Sequence, residues 1–192
     1  MSMGNKTHSF KCIVAAVWLA VGFSSPLLAQ GATDAERLDD LFEQLRNAEP
    51  EAVELIESQI VTLWSRSGSP AMDLLYRRGE EAMDEGAPDI AVEHFTALID
   101  HAPDFAEGYH GRATAYYQLG LFGPAIDDLR QTLVLQPRHF GAMTGIAVVL
   151  EEIGRPEDAL EVWRKVAEFA PNDPEVVGVI ERLEVQLRGM TL

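Results

Sequence analysis

Apolar side chains between Met72 and Asp173 follow two nested rhythms. At short range they recur every three to four residues, the spacing that lines one face of a helix. At long range the same residue types return every 34 positions: Gly86, Gly120 and Gly154; Ala91, Ala125 and Ala159; Pro103, Pro137 and Pro171. Phe95, Leu129 and Trp163 keep the same interval. A fixed period of this length predicts stacked helix pairs rather than one closed core, with copies at 72–105, 106–139 and 140–173.

Each recurring slot has a physical task. The glycines close the first helix of a pair, where a left-handed residue follows the last turn. The alanines sit early in the second helix, where a small side chain lets two helices approach. Phe95, Leu129 and Trp163 come four residues later on the same face and fill the space between pairs. Each proline then ends the second helix, because the residue before proline avoids helical geometry.

Outside the repeats the helical pattern persists without the register. Leu38, Leu41, Phe42 and Leu45 share one face, as do Val53, Ile56, Ile60, Leu63 and Trp64, with a break at Asn47–Pro50. Residues 34–68 therefore predict a helical hairpin acting as an N-terminal cap or a degenerate fourth repeat. At the other end, residues 174–188 start with Pro174 and carry Val176, Val177, Ile180, Leu183 and Leu187 on one stripe. They predict a closing helix over the third pair.

These residues resemble the tetratricopeptide repeat family, a 34-residue helix–turn–helix with aromatic, Leu-Gly, Tyr, Ala, Phe and Pro at set places. The second copy supplies Tyr109, Tyr116, Ala125, Leu129 and Pro137; the first Leu75, Gly79, Ala91, Phe95 and Pro103; the third Met143, Ala147, Ala159, Trp163 and Pro171. Arg78 and Arg112 depart from it at the usual Leu position, Ala82 and Leu150 at the Tyr position, and Thr132 at a small-residue position. The resemblance implies an all-α, right-handed superhelical solenoid of antiparallel helix pairs. It also implies a concave groove, lined by the first helix of each pair, that holds a peptide or a partner helix. Carried over by register, the groove columns are Asp73, Glu107 and Gly141; Tyr76, His110 and Thr144; Glu80, Thr114 and Val148; and Met83, Tyr117 and Glu151.

The first 29 residues change the picture. Lys6 and Lys11 precede an apolar run from Cys12 to Phe23, and a small-residue exit with Pro26 leads to Ala29. That is the layout of a secretory signal, with cleavage expected after Ala29 and a periplasmic destination; the alternative is an uncleaved inner-membrane anchor. Cys12, the single cysteine, would leave with the signal, and its place at the front of the apolar run does not suggest a lipid anchor. The remainder holds 13 basic and 31 acidic residues, a net charge of −18. Such a surface argues against nucleic acid and anionic lipid as partners.

Catalytic signatures are absent: no phosphate-binding Gly-Lys-Ser/Thr loop, no nucleophile elbow, no His-Glu-x-x-His pair and no cysteine cluster occurs. His94 and His101 lie two turns apart on one helix, too far to share a metal unaided. Glu80-Glu81, Asp127-Asp128 and Glu151-Glu152 read as solvated faces, since neighbours on a helix point apart. The sequence thus predicts a non-catalytic protein-binding module without cofactor, of the kind that similar small exported repeat proteins of Gram-negative bacteria provide as adaptors or assembly factors. Its acids, Tyr and Thr disfavour clamping of a C-terminal carboxylate and favour a basic or neutral segment. Tyr76, His110 and Tyr117 would anchor it, and Asp73, Glu80 and Glu107 would select charge. The protein is expected to be a monomer or a weak homo-oligomer. Two rivals are self-association through exposed helices, and a metal or enzymatic site using His94, His101, His110 or His139.

Overall fold

A computed structural model describes residues 27–190, and the expected export signal lies, for residues 1–26, outside the described residues. The described chain is all helix: α1 (Leu27–Arg46), α2 (Pro50–Trp64), α3 (Pro70–Asp84), α4 (Pro88–His101), α5 (Ala106–Gln118), α6 (Phe122–Leu135), α7 (Phe140–Glu152), α8 (Pro156–Ala167) and α9 (Pro174–Met190). Among the described residues no helix is long and apolar enough to cross a membrane.

The 34-residue register is visible in the backbone. Gly86, Gly120 and Gly154 have φ of 71°, 72° and 74°. The amide after each glycine donates to a carbonyl in the last turn of the preceding helix: Ala87 to Ala82, Leu121 to Tyr116 and Arg155 to Leu150, each at 2.8 Å. Three copies of one helix-ending motif fix the same turn between α3 and α4, α5 and α6, and α7 and α8. Ala91, Ala125 and Ala159 have no exposed surface, and Phe95, Leu129 and Trp163 are buried beside them.

The sequence did not reveal how close the next pair comes. A Cβ added to Gly111 would sit 2.6 Å from the Phe95 ring, and one added to Gly145 would sit 3.0 Å from Leu129. Gly111 and Gly145 occupy one register position, so Phe95 and Leu129 each lie against bare backbone of the following pair. Gly79 of the same pair lies against the same Phe95 ring atoms, at 2.5 Å from its would-be Cβ. The closing helix α9 buries Val176 and Leu183 against Trp163 and Val166, while Val177, expected on the buried stripe, is exposed.

The N-terminal hairpin departs from expectation. Instead of capping the first repeat, α1 and α2 fold over toward the third and pack against Phe140, Phe169 and Ala170. The Asn172 side-chain amide donates to the Ala48 carbonyl at 2.9 Å, and Arg138 reaches Asp39 at 2.8 Å while lying over the Phe42 ring. The reason is apolar area: Phe42 and Trp64 need a partner, and Phe140 and Phe169 provide it.

Candidate functional site

Helices α3, α5 and α7 set the expected groove columns side by side. Tyr76, Glu80, Met83, Glu107, His110 and Thr114 line one cavity of about 260 Å³, roofed by Val61 of α2. His110, Thr114, Tyr117, Thr144 and Val148 line a second of about 220 Å³ over Leu129 and Gly145. His110, Thr114 and Gly141 belong to both, so the cavities adjoin. The second is apolar because Gly141 and Gly145 leave backbone and Leu129 as its floor.

Asp73 stands apart. Its carboxylate accepts hydrogen bonds from the Ser67 amide and hydroxyl and ties down the turn before α3. It does not line either cavity.

Glu107 is also not the free acid that the sequence suggested. Only 3% of its surface is exposed, and its carboxylate accepts from His139 Nε2 at 2.9 Å and faces His110 Nδ1 at 3.7 Å. Burial alone would raise this carboxyl, but hydrogen bonds and charge from His110 and His139 outweigh it and hold it at about 2. Burial lowers His139, against the pull of Glu107. Tyr76 is pushed up by burial and then by Glu107 and Glu80. Glu80 is raised by desolvation and then by Glu107. Glu80 is thus the acid at the rim of the first cavity, and Glu107 is a buried carboxylate on its floor, kept ionised by the two imidazoles.

Glu107, His110 and His139 each bring one potential ligand atom within 4.8 Å of the others, and this is the metal-type cluster among the described residues. The hydrogen bonds argue for a different role. His139 caps α7, where its Nδ1 accepts the Ala142 amide at 3.0 Å, so the ring proton sits on Nε2 and is donated to Glu107. A metal-ligating imidazole donates from its second nitrogen, and here that nitrogen already accepts. The cluster is a proton-sharing network that fixes the groove floor. His94 lies in a separate crevice beside Arg78 and Glu81, and His101 is exposed at the end of α4.

The acidic pairs also differ from expectation. Asp128 is buried and takes Arg112 in a two-pronged pair at 2.7 and 2.9 Å, with Thr96 accepting a third bond at 3.1 Å. Arg112, the departure from the usual Leu, is therefore a bridge from α5 to α4 and α6. Glu151 accepts from the Trp163 indole at 2.9 Å and pairs with Arg182 at 2.7 Å.

Stacked antiparallel helix pairs, with the first helix of each lining a shared trough, define a helical repeat protein of the interaction-module class. The tetratricopeptide repeat profile matches residues 76–131 and 110–174. This chain belongs to the tetratricopeptide repeat family. It is 31% identical over 155 residues to a TPR repeat-containing protein of Rhizobium etli, covering 80% of this chain and 76% of that one. A small glutamine-rich tetratricopeptide repeat-containing protein of Saccharomyces cerevisiae is 28% identical over 95 residues, 50% of this chain and 28% of the relative. Among solved structures, the fold is similar to the first TPR domain of Spaghetti (RPAP3) bound to the HSP90 peptide SRMEEVD. That match has a TM-score of 0.58 and 22% identity, over 61% of this chain and 93% of that one. It is also similar to the Yersinia enterocolitica type III secretion chaperone SycD in complex with a peptide of the translocator YopD. There the TM-score is 0.57 and the identity 18%, over 62% of this chain and 95% of that one.

Proposed function

We propose that the chain is an exported, non-catalytic binding module that holds a short basic or neutral segment of a partner protein along α3, α5 and α7. The observation that carries this reading is that ten of the twelve groove positions, all but Asp73 and Glu151, line two adjoining cavities, one apolar and one rimmed by Glu80. An apolar side chain fits over Leu129 and Gly145, and a neighbouring Lys or Arg meets Glu80, whose carboxyl faces a second acid, Glu107. Peptides seated in RPAP3 and in SycD support a peptide as the class of ligand. The RPAP3 peptide, SRMEEVD, carries more acid than base, and this groove suits the opposite charge.

The test is capture from envelope extract by the tagged protein and by its Glu80→Lys and Val148→Arg variants. Glu107 is left intact because its charge is structural. Both variants are expected to lose the same partner at low salt, and undiminished capture by both would sink the reading. Localisation is read separately. Cell fractionation and the N-terminal mass of the recovered protein are expected to give a periplasmic chain starting at Gln30, and a membrane-bound chain retaining residues 1–29 would replace export with anchoring.

A further inference from the structure

The α7–α9 end of the trough already holds an occupant, the chain's own α2, and the fit is poor in a specific way. Trp64 and Phe42 cover His139, Phe140 and Phe169, which accounts for the apolar part of the contact. Along the rest of α2 the charges are wrong. Glu54 and Glu57 face Asp173 and Glu175 across a crevice of about 460 Å³, and no Lys, Arg or His lines it. Burial first, and then Asp173, Glu175 and Glu54, push Glu57 up to about 7. A second gap of about 190 Å³ separates Glu57 from Thr144 and Trp163. The hairpin is joined to α3 through Ser65–Ser69, with Gly68 at φ 76°.

We infer that the shelf formed by His139, Phe140, Phe169 and the start of α9 is a docking surface for an amphipathic partner helix that displaces α2. That helix carries one aromatic anchor and Lys or Arg opposite Asp173 and Glu175. Such a helix keeps the aromatic contacts and exchanges two facing carboxylates for cation–carboxylate pairs, so it outcompetes the built-in occupant. The inference extends the groove reading above to a different stretch of the trough, and Glu80 takes no part in it.

The experiment has two arms on the full chain. In the first, Glu54→Lys/Glu57→Lys is introduced and amide hydrogen exchange is followed in α1 and α2. Exchange is expected to slow about tenfold, the combined effect of two partly exposed pairs turned from repulsive to attractive. In the second, a synthetic peptide of residues 34–66 carrying the same two lysines is added to the unaltered chain. It is expected to bind and to speed exchange in the chain's own α1 and α2. It should bind far more weakly to the Asp173→Lys/Glu175→Lys variant. Unchanged or faster exchange in the first arm overturns the inference. So does a peptide that fails to bind, binds without loosening the hairpin, or binds equally to the reversed variant. None of these outcomes bears on the α3–α5 reading, which is tested at Glu80.

Discussion

The Trp64 indole lies flat on the His139 imidazole, with ring centroids 4.6 Å apart and planes inclined by 18°. His139 stands one register after Phe105, which meets Tyr76 edge-on at the equivalent corner of the first pair. Exchanging a phenyl for an imidazole at this corner adds two bonds without giving up the flat face. One ring thereby joins the N-terminal hairpin, the cap of α7 and the buried acid of the groove.

Trp64→Ala removes the largest anchor of the hairpin, a residue that is 7% exposed. A buried Trp→Ala costs about 3–5 kcal/mol where the site cannot collapse. The loss is expected to be local: amide protection falls in α1 and α2, while α3 to α9 keep theirs. Uniform loss of protection would show that the hairpin and the repeats unfold as one unit.

Acid is expected to weaken the groove floor. Glu107 is ionised in the fold down to about 2, below its ordinary 4.5, so its stabilisation is present above pH ~4.5 and is lost as the pH falls toward 2. His139 is held neutral, below its ordinary 6.5, so protonation on acidification works in the same direction. In His139→Phe, Glu107 loses its closest donor, and a buried charged acceptor without a partner costs about 1–3 kcal/mol or more. Urea midpoints measured from pH 8 to pH 3 should fall for the native chain. The variant should start lower and fall less steeply.

Glu57 has the opposite sign. Its carboxyl is raised from 4.5 to about 7, so it stabilises docking in its neutral form, and that contribution is lost as the pH rises from ~4.5 through ~7. Glu57→Gln is expected to slow hydrogen exchange in α2 at pH 8 and to leave it unchanged below pH ~4.5. Identical exchange at pH 8 would mean that the carboxylates across the crevice do not feel one another.

The solenoid was legible because identical packing demands recur. Gly86, Ala91, Phe95 and Pro103 each have counterparts one and two registers on, and local sequence decides a turn, a close approach or a helix end. The side-by-side placement of the α3, α5 and α7 columns that line the two cavities follows by register from the same fact. Contacts outside the register were not legible. The hairpin's docking depends on Arg138, His139, Phe140, Phe169 and Asn172, at the α6–α7 and α8–α9 junctions; Arg138 and Asn172 stand one register apart, but with Asp104 before them that position carries a different residue type in each repeat and gives no pattern to read. Asp73 and Asp128 looked like surface acids because their partners, Ser67 and Arg112, are set by turn geometry and by contact between helices. The one available signal was Arg112 itself: a cation at a position the family fills with Leu needs an acid nearby.

That signal gives a prediction. Asp128→Ala leaves the half-buried Arg112 guanidinium without a carboxylate, held only by Thr96 and the Tyr109 and Tyr116 rings, and breaking a buried pair from one side costs up to about 3–5 kcal/mol. Arg112→Leu/Asp128→Leu removes both charges and restores the family's usual residue at 112, so it is expected to lie within about 1 kcal/mol of the native chain or above it. Chemical denaturation of the single and double variants measures the coupling. A double variant as unstable as Asp128→Ala would show that the pair stabilises the helix contacts beyond cancelling its own desolvation.

The contact between Phe95 and Gly111 sets helix propensity against packing. Gly→Ala in a helix interior is worth about 1 kcal/mol in favour of alanine. At Gly111 the new methyl would lie 2.6 Å from a ring that has no exposed surface and that already packs tightly on Gly79. Overpacking of this kind costs about 1–3 kcal/mol, so Gly111→Ala is expected to destabilise despite the propensity gain. Phe95→Leu shortens the side chain that it strikes, and Leu is the residue the second repeat itself uses at Leu129 opposite Gly145. The combination Gly111→Ala/Phe95→Leu should therefore lose less stability than the two single changes added together. Strict additivity in denaturant melts would mean that the ring moves aside at no cost and that bare backbone at Gly111 is not what lets successive pairs nest.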